Sequence, residues 1–237
     1  MVNRNVEPFN LDIEHNVGYL YTTNIKLSSS LATQRTTDII LGLNCFTGKS
    51  VIDMGCGDGY YTLRFWDQGN PSSLTAVDLA EKAVELANAK KGNRPIVFEV
   101  GDAHHLSYPN DSFEVALIQS ILHHDDNPSD IIREAFRVAK EILIHEPNGH
   151  NFGLKIIEKT SAYHREHAEK SYTFRQVSKW VEQAGGRVVG HRFAGFVPMF
   201  CPDGLAKVMK RLEPIIENTP LLRPLGCAVY ALVAVRH

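Results

Sequence analysis

A chain of 237 residues is long enough for one α/β domain with insertions and short for two. Its 43% hydrophobic content supplies a full core and its 22% charged residues can cover it, which excludes a disordered chain. A formal net charge of -2 lacks the basic face that duplex nucleic acid requires, so nucleic acid is disfavoured as a partner. The four cysteines, Cys45, Cys56, Cys201 and Cys227, form no CxxC pair, and scattered thiols of this kind fit a reduced cytoplasmic protein. The first residues carry acids and no apolar core, so no secretory signal is expected. No run of roughly 18 apolar residues occurs, so no membrane span is expected.

In chain order, helical patterns are expected over 29–43, 60–68, 81–90, 128–140, 174–184 and 203–217. Strands are expected over 51–54, 74–78, 96–100, 115–119, 142–145, 188–193 and 228–235. Short apolar, β-branched runs alternating with amphipathic helices predict a mostly parallel sheet covered on both faces. Thr173-Phe-Arg-Gln176 is a capping-box pattern that starts the helix at 174, and Gly185-Gly186 ends it. The chain divides into an N-terminal cap and helix (1–44), a core (45–147), a lid-like insertion (148–170) and a C-terminal part (171–237). Ligands of open α/β sheets sit outside the carboxyl ends of the strands, so the 148–170 insertion and the N-terminal stretch are placed to close that crevice.

The most informative stretch is Asp53-Met-Gly55-Cys56-Gly57-Asp-Gly59, a strand running through a glycine turn into a helix. Without β-carbons the backbone can approach a ligand closely. A dinucleotide-binding loop would place its third glycine one position later, where Tyr60 stands. Asp78 ends the second strand about 20 residues past the loop, where a carboxylate can accept two ribose hydroxyls. It could also cap the helix at 81–90. Asp102, after the third strand, could accept from an adenine amino group or simply make a turn.

Loop, acid and acid on three consecutive strand ends resemble the class I S-adenosylmethionine-dependent methyltransferases, over roughly residues 49–148. The resemblance continues through Asp102-Ala103-x-x-Leu106, Leu122-His123-His124, Arg133-Glu134-x-x-Arg137-Val138 and Glu146-Pro147-Asn148. It points to the small-molecule branch that includes the ubiquinone and menaquinone biosynthesis enzymes. It implies a Rossmann-like, seven-stranded, mostly parallel sheet with helices on both faces and one antiparallel strand near the C-terminus. It also implies S-adenosylmethionine as cofactor and S-adenosylhomocysteine as product. Asp53, Gly55, Cys56, Gly57 and Gly59 would hold the methionine part, Asp78 with Leu79 the ribose, Asp102 and Ala103 the adenine, and Gln119 would lie alongside. Two departures stand out: Glu114 replaces the usual Asp, and the Pro-Gly-Gly turn before the fifth strand is absent.

A sulfonium is an activated donor, so in-line positioning can supply much of the rate. A base is needed for a hydroxyl, protonated amine or carbon acid. Candidates near the expected crevice are His123, His124, His145 and Glu146, the paired histidines foremost. The same pair could instead cap or pack the start of the helix at 128, and Glu146 could be structural. Tyr19, Tyr21, Tyr60 and Tyr61 suit an aromatic pocket or ordinary packing alike. His164 and His167 match a metal spacing only loosely, and no metal is expected. In the 196–226 insertion, Leu205, Val208, Met209, Leu212, Ile215 and Ile216 lie opposite Lys207, Lys210 and Arg211. That apolar face either rests on the core or pocket mouth, or meets a second copy or a membrane surface. The leading reading is methyl transfer to a small molecule at oxygen, nitrogen or carbon, with an apolar or lipid-linked acceptor admitted. The alternatives are an RNA or protein methyltransferase, a non-catalytic S-adenosylmethionine-binding protein and a nicotinamide-dependent oxidoreductase. The last is disfavoured by the glycine spacing.

Overall fold

The computed structural model describes residues 7–16, 18–23, 25–43, 46–160, 170–199 and 201–237. Three helices come first: α1 (Glu7–Asn16), α2 (Leu20–Thr23) and α3 (Leu27–Leu41). Next come β1 (Ser50–Met54), α4 (Tyr60–Gly69), β2 (Ser73–Asp78), α5 (Glu81–Lys90), β3 (Ile96–Val100) and β4 (Phe113–Gln119). A 3-10 turn (Leu122–His124) leads to α6 (Pro128–Val138), β5 (Ala139–Pro147) and α7 (Phe152–Thr160). The chain closes with α8 (Phe174–Gln183), β6 (Gly186–Ala194), α9 (Asp203–Asn218), α10 (Arg223–Gly226) and β7 (Val229–Arg236).

The strands form one seven-stranded sheet in the order β3-β2-β1-β4-β5-β7-β6. β7 runs antiparallel to both of its neighbours, and the other pairings are parallel, as the resemblance implied. Side chains alternate along each strand, which gives the sheet two apolar faces. Ile52, Ala116 and Ile118 pack with Ile132, Val177 and Val181 beneath α6 and α8. Val51, Val115 and Leu117 pack with Ile40, Phe65 and Val84 beneath α3, α4 and α5. The strand order reverses between β1 and β4, so the crevice at their carboxyl ends is the ligand position for such a sheet.

Several boundaries differ from expectation. The helix expected over 128–140 stops at Val138, because Ala139 is already extended and pairs with Phe113. The missing Pro-Gly-Gly turn is therefore no turn at all: α6 passes straight into β5. Arg137 compensates by fixing the β3–β4 loop, its guanidinium donating to the carbonyls of Leu106 (2.9 Å) and Tyr108 (2.7 Å). Neither α1 nor α7 was expected as a helix.

Helix α9 divides the apolar residues between the two alternatives. Met209 lines the cleft and Ile216 packs against Gly226, while two acids of the helix also face the molecule. Glu213 is buried and accepts from the Phe196 amide at 3.0 Å, while Glu217 accepts from the Gly195 amide at 2.9 Å and grips Arg35 of α3. Lys210 turns with them and pairs with Glu213. Leu205, Val208, Leu212 and Ile215 point to solvent.

Candidate active site

A cleft of about 780 Å³ opens at the carboxyl ends of β1, β2, β4 and β5. Its floor is the glycine turn. Gly55 (φ 81°) and Gly57 (φ 54°) both lie in the left-handed region, which a β-carbon disfavours. A β-carbon on Gly57 would stand 2.7 Å from the Tyr19 ring, so the N-terminal segment rests on bare backbone. Gly59 does a different job. Its missing side chain admits Ala87 and Phe98, and it packs α4 against the core without lining the cleft.

Asp78 joins loop to strand end. One carboxylate oxygen accepts from the Gly57 amide at 2.8 Å and the other from the Ala80 amide at 2.8 Å. The N-cap of α5 is Ala80, so Asp78 organises the crevice and is not the cap itself. Burial pushes its carboxyl above the usual range, partly offset by those amides. Asp53, beneath the loop, accepts from the Thr62 hydroxyl at 2.6 Å and has a second oxygen with no hydrogen-bond partner. Burial raises it to about 7. Cys56, Leu79, Ala103 and Gln119 line the cleft as expected, and burial pushes the Cys56 thiol well up.

Asp102 is the exception among the acids. It does not line the cleft; one of its oxygens accepts from the His104 amide at 2.9 Å and lies 3.2 Å from His104 Nδ1. The wall there is Gly101, Ala103 and His104, and His104 Nε2 lies 3.2 Å from Asp125.

The histidine pair faces the cleft and does not cap α6, whose N-cap is Asn127. His123 Nδ1 lies 2.7 Å from Glu146 Oε2, and Glu146 Oε1 accepts from the amides of Ile121 (3.0 Å) and Leu122 (2.9 Å). Burial raises Glu146 to about 8, against the pull of those amides and of His124. The His124 ring sits 3.9 Å from that of His123 and meets Phe9 edge-on. His145 is buried, held neutral with a pKa lowered to about 3, and lies 3.3 Å from the Ser120 hydroxyl. Sequence reasoning missed Ser120, a non-glycine residue at φ 55° at the end of β4 and in the cleft wall. It also missed His104 and Asp125, whose pairing depends on two loops meeting.

Tyr19, Tyr21 and Tyr61 line the cleft, whereas the Tyr60 hydroxyl donates to Thr33 outside it. The far wall is apolar and comes from both insertions: Leu154 and Ile157 from α7, Phe196, Val197 and Met199 after β6, Met209 from α9 and Leu225 from α10. Asn148 and Asn151 lace these parts together through the carbonyls of Pro224, Gly226 and Cys227. His164 and His167 lie outside the described residues. Among the described residues no group of histidine, cysteine and acid side chains is arranged to hold a metal.

Comparison with known proteins agrees with this geometry. Residues 52–142 match the family model described as a methyltransferase domain. Over 114 residues the chain is 36% identical to 27-O-demethylrifamycin SV methyltransferase of Amycolatopsis mediterranei, covering 46% of this chain and 42% of that protein. It is 37% identical over 105 residues to demethylmenaquinone methyltransferase of Leptospira interrogans, covering 41% of each. The match thus spans about two fifths of each relative. A solved S-adenosylmethionine-dependent methyltransferase of Thermotoga maritima shares the fold, with a TM-score of 0.69 at 14% identity over 98% of this chain and all of that one. Residues 52–142 are thus similar to a methyltransferase domain, on a fold shared with a solved S-adenosylmethionine-dependent methyltransferase.

Proposed function

We propose that the protein transfers a methyl group from S-adenosylmethionine to a small apolar molecule held between the two insertions. The observation that carries this reading is the bridge from Asp78 to the Gly57 and Ala80 amides, which sets a carboxylate beside a bare glycine turn at the switch point of the sheet. The cleft fits the cofactor. Gly55 and Gly57 line the cleft beneath Ile121 and Tyr19, Asp53 has a buried oxygen without a partner, and polar strand ends face one half of the space. Asp53, Gly55, Cys56 and Gly57 would hold the methionine part, Asp78 and Leu79 the ribose, and Ala103 with Gln119 the adenine side. Asp102 would act there through His104 and its loop, and Gly59 through packing. When bound, S-adenosylmethionine supplies a methyl group already activated by its sulfonium.

The chain's own contribution is orientation and proton handling. Glu146 fixes His123 through Nδ1; a proton between Nδ1 and Oε2 leaves Nε2 as the basic nitrogen. Burial raises the Glu146 pKa, while the Ile121 and Leu122 amides hold its other oxygen so that Oε2 can accept from His123 Nδ1. His123 is our general base, and His124 packs on it and can relay the proton outward. His145, held neutral, adds no positive charge to the cleft wall. Phe196, Met199, Met209 and Leu225 exclude water and favour an apolar acceptor. We read the whole chain as one domain, with 45–147 binding the cofactor and 148–170 and the C-terminal part shaping the acceptor side. The free thiols Cys56, Cys201 and Cys227 suit a reducing, cytoplasmic compartment.

Calorimetry with S-adenosylmethionine, S-adenosylhomocysteine and NAD tests the cofactor, and Asp78→Ala should abolish the first two. Tighter binding of NAD would refute the reading. A labelled-methyl screen against quinone precursors, lipids, sugars and RNA tests the acceptor class, and incorporation into RNA alone would overturn it.

A further inference from the structure

Helix α9 is built inside out. Its exposed apolar residues Leu205, Val208, Leu212 and Ile215 recur at i, i+3, i+7 and i+10, one continuous stripe along the helix. Val208 and Ile215 are 53% and 58% exposed, although Glu213 on the opposite face is 3% exposed. A water-facing helix normally shows the reverse. The stripe continues past the helix into Leu221 and Leu222, which are also exposed. Asn151, just before α7, donates to the Gly226 carbonyl of α10, and α7 exposes Phe152 and Ile156. An apolar surface of this extent marks a contact site.

The charges around it choose the occupant. Glu213 and Glu217 are turned inward onto Arg35, Lys210 and the amides after β6, and Glu158 of α7 is turned onto the Ser171 amide. What α9 shows to solvent beside the stripe is Lys207 and Arg211, neither in an ion pair with a described residue, with Asp203 as its one exposed acid, on the first turn. A second copy docked about a twofold axis would bring both basic pairs into one interface, with one acid per copy to answer them. A surface of negative headgroups over an apolar layer complements both features at once. Ile157 and Leu225 stand at once on this exposed face and in the cleft wall, so the apolar half of the cleft opens onto the same surface. Among the described residues no helix is long and apolar enough to cross a membrane.

We propose that α7, α9 and α10 form an interfacial docking surface for an anionic lipid bilayer, with the α9 stripe at the acyl boundary and Lys207 and Arg211 at the headgroups. The proposal rests on this surface and not on the methyl-transfer reading, and its test needs no turnover. The protein is floated with vesicles of phosphatidylcholine alone and with vesicles containing one quarter phosphatidylglycerol. Wild type should rise with the anionic vesicles, less so in high salt. Val208→Asp with Leu212→Asp, and separately Lys207→Glu with Arg211→Glu, should each lower the bound fraction by about tenfold. Circular dichroism checks that each variant is folded, and the second pair changes only exposed charges. Absence of wild type from both floated fractions overturns the proposal, as does lipid binding that survives both pairs. A dimer in sedimentation that the aspartates dissociate, with no vesicle binding, also overturns it and assigns the face to a second copy.

Discussion

At Gly57 the backbone stands at φ 54° under the Tyr19 ring, so one hydrogen atom decides both loop shape and lid contact. Gly57→Ala adds left-handed strain of roughly 1 kcal/mol and pushes Tyr19 aside, and should weaken S-adenosylmethionine by about tenfold in calorimetry. Equal affinity would mean the turn does not touch the cofactor. His145 carries a pH signature. Its folded pKa is lowered to about 3 from 6.5, so the stability it contributes is present above 6.5 and lost as pH falls towards 3. Compared with His145→Gln, wild type should lose about 2 kcal/mol of unfolding free energy between pH 7 and pH 5, read by urea denaturation at both. Glu146, raised to about 8, acts in the opposite sense but is common to both chains and cancels in the comparison. A flat difference would show that His145 is not held neutral. At this scale the glycines and Asp78 were legible because their spacing follows one strand–turn–helix unit. The contact of His123 with Glu146 was not, since it crosses from the turn after β4 to the end of β5 and depends on register.

Among the elements, α8 was the most legible. Thr173 accepts from the Gln176 amide at 3.2 Å while the Gln176 side chain accepts from the Thr173 amide at 2.9 Å, the reciprocal cap its sequence announces. Thr173→Ala should lower stability by about 1 kcal/mol, seen as a shifted urea midpoint with unchanged slope. α9 was the least legible. Apolar periodicity located the helix but left its inner face open, because periodicity cannot see Arg35 waiting on α3 or the bare amides after β6. Arg35→Ala leaves Glu217 without its cation and Glu213 with Lys210 alone, and should cost roughly 2–3 kcal/mol, measured by the same denaturation. A loss below about 0.5 kcal/mol would place those acids in contact with water.

For the molecule as a whole, β7 is the keystone. It joins β6 to β5, and Tyr230, Ala231, Leu232 and Ala234 along it are fully buried. A chain ending at residue 227 should give no cooperative unfolding transition in calorimetry, since β6 loses its partner and β5 gains an open edge. If the cleft takes S-adenosylmethionine, cofactor at about a hundredfold its Kd should stabilise the fold by about 2.7 kcal/mol, a Tm rise of roughly 5–10 °C.

The seven-stranded sheet with its one reversed strand was what the family resemblance implied; the sequence alone was enough for the alternating α/β order and for the glycine turn with Asp78 behind it. Those last two are written in a local period or in a spacing within a single unit. Tertiary structure alone decided that Asp102 turns to His104, that Gly59 packs a helix, that Glu146 holds His123 and that α9 faces its apolar stripe outward. Those outcomes depend on which groups from distant parts of the chain arrive within hydrogen-bond reach. A buried carboxylate with amides and an arginine to meet it can outweigh a stripe of exposed aliphatic side chains.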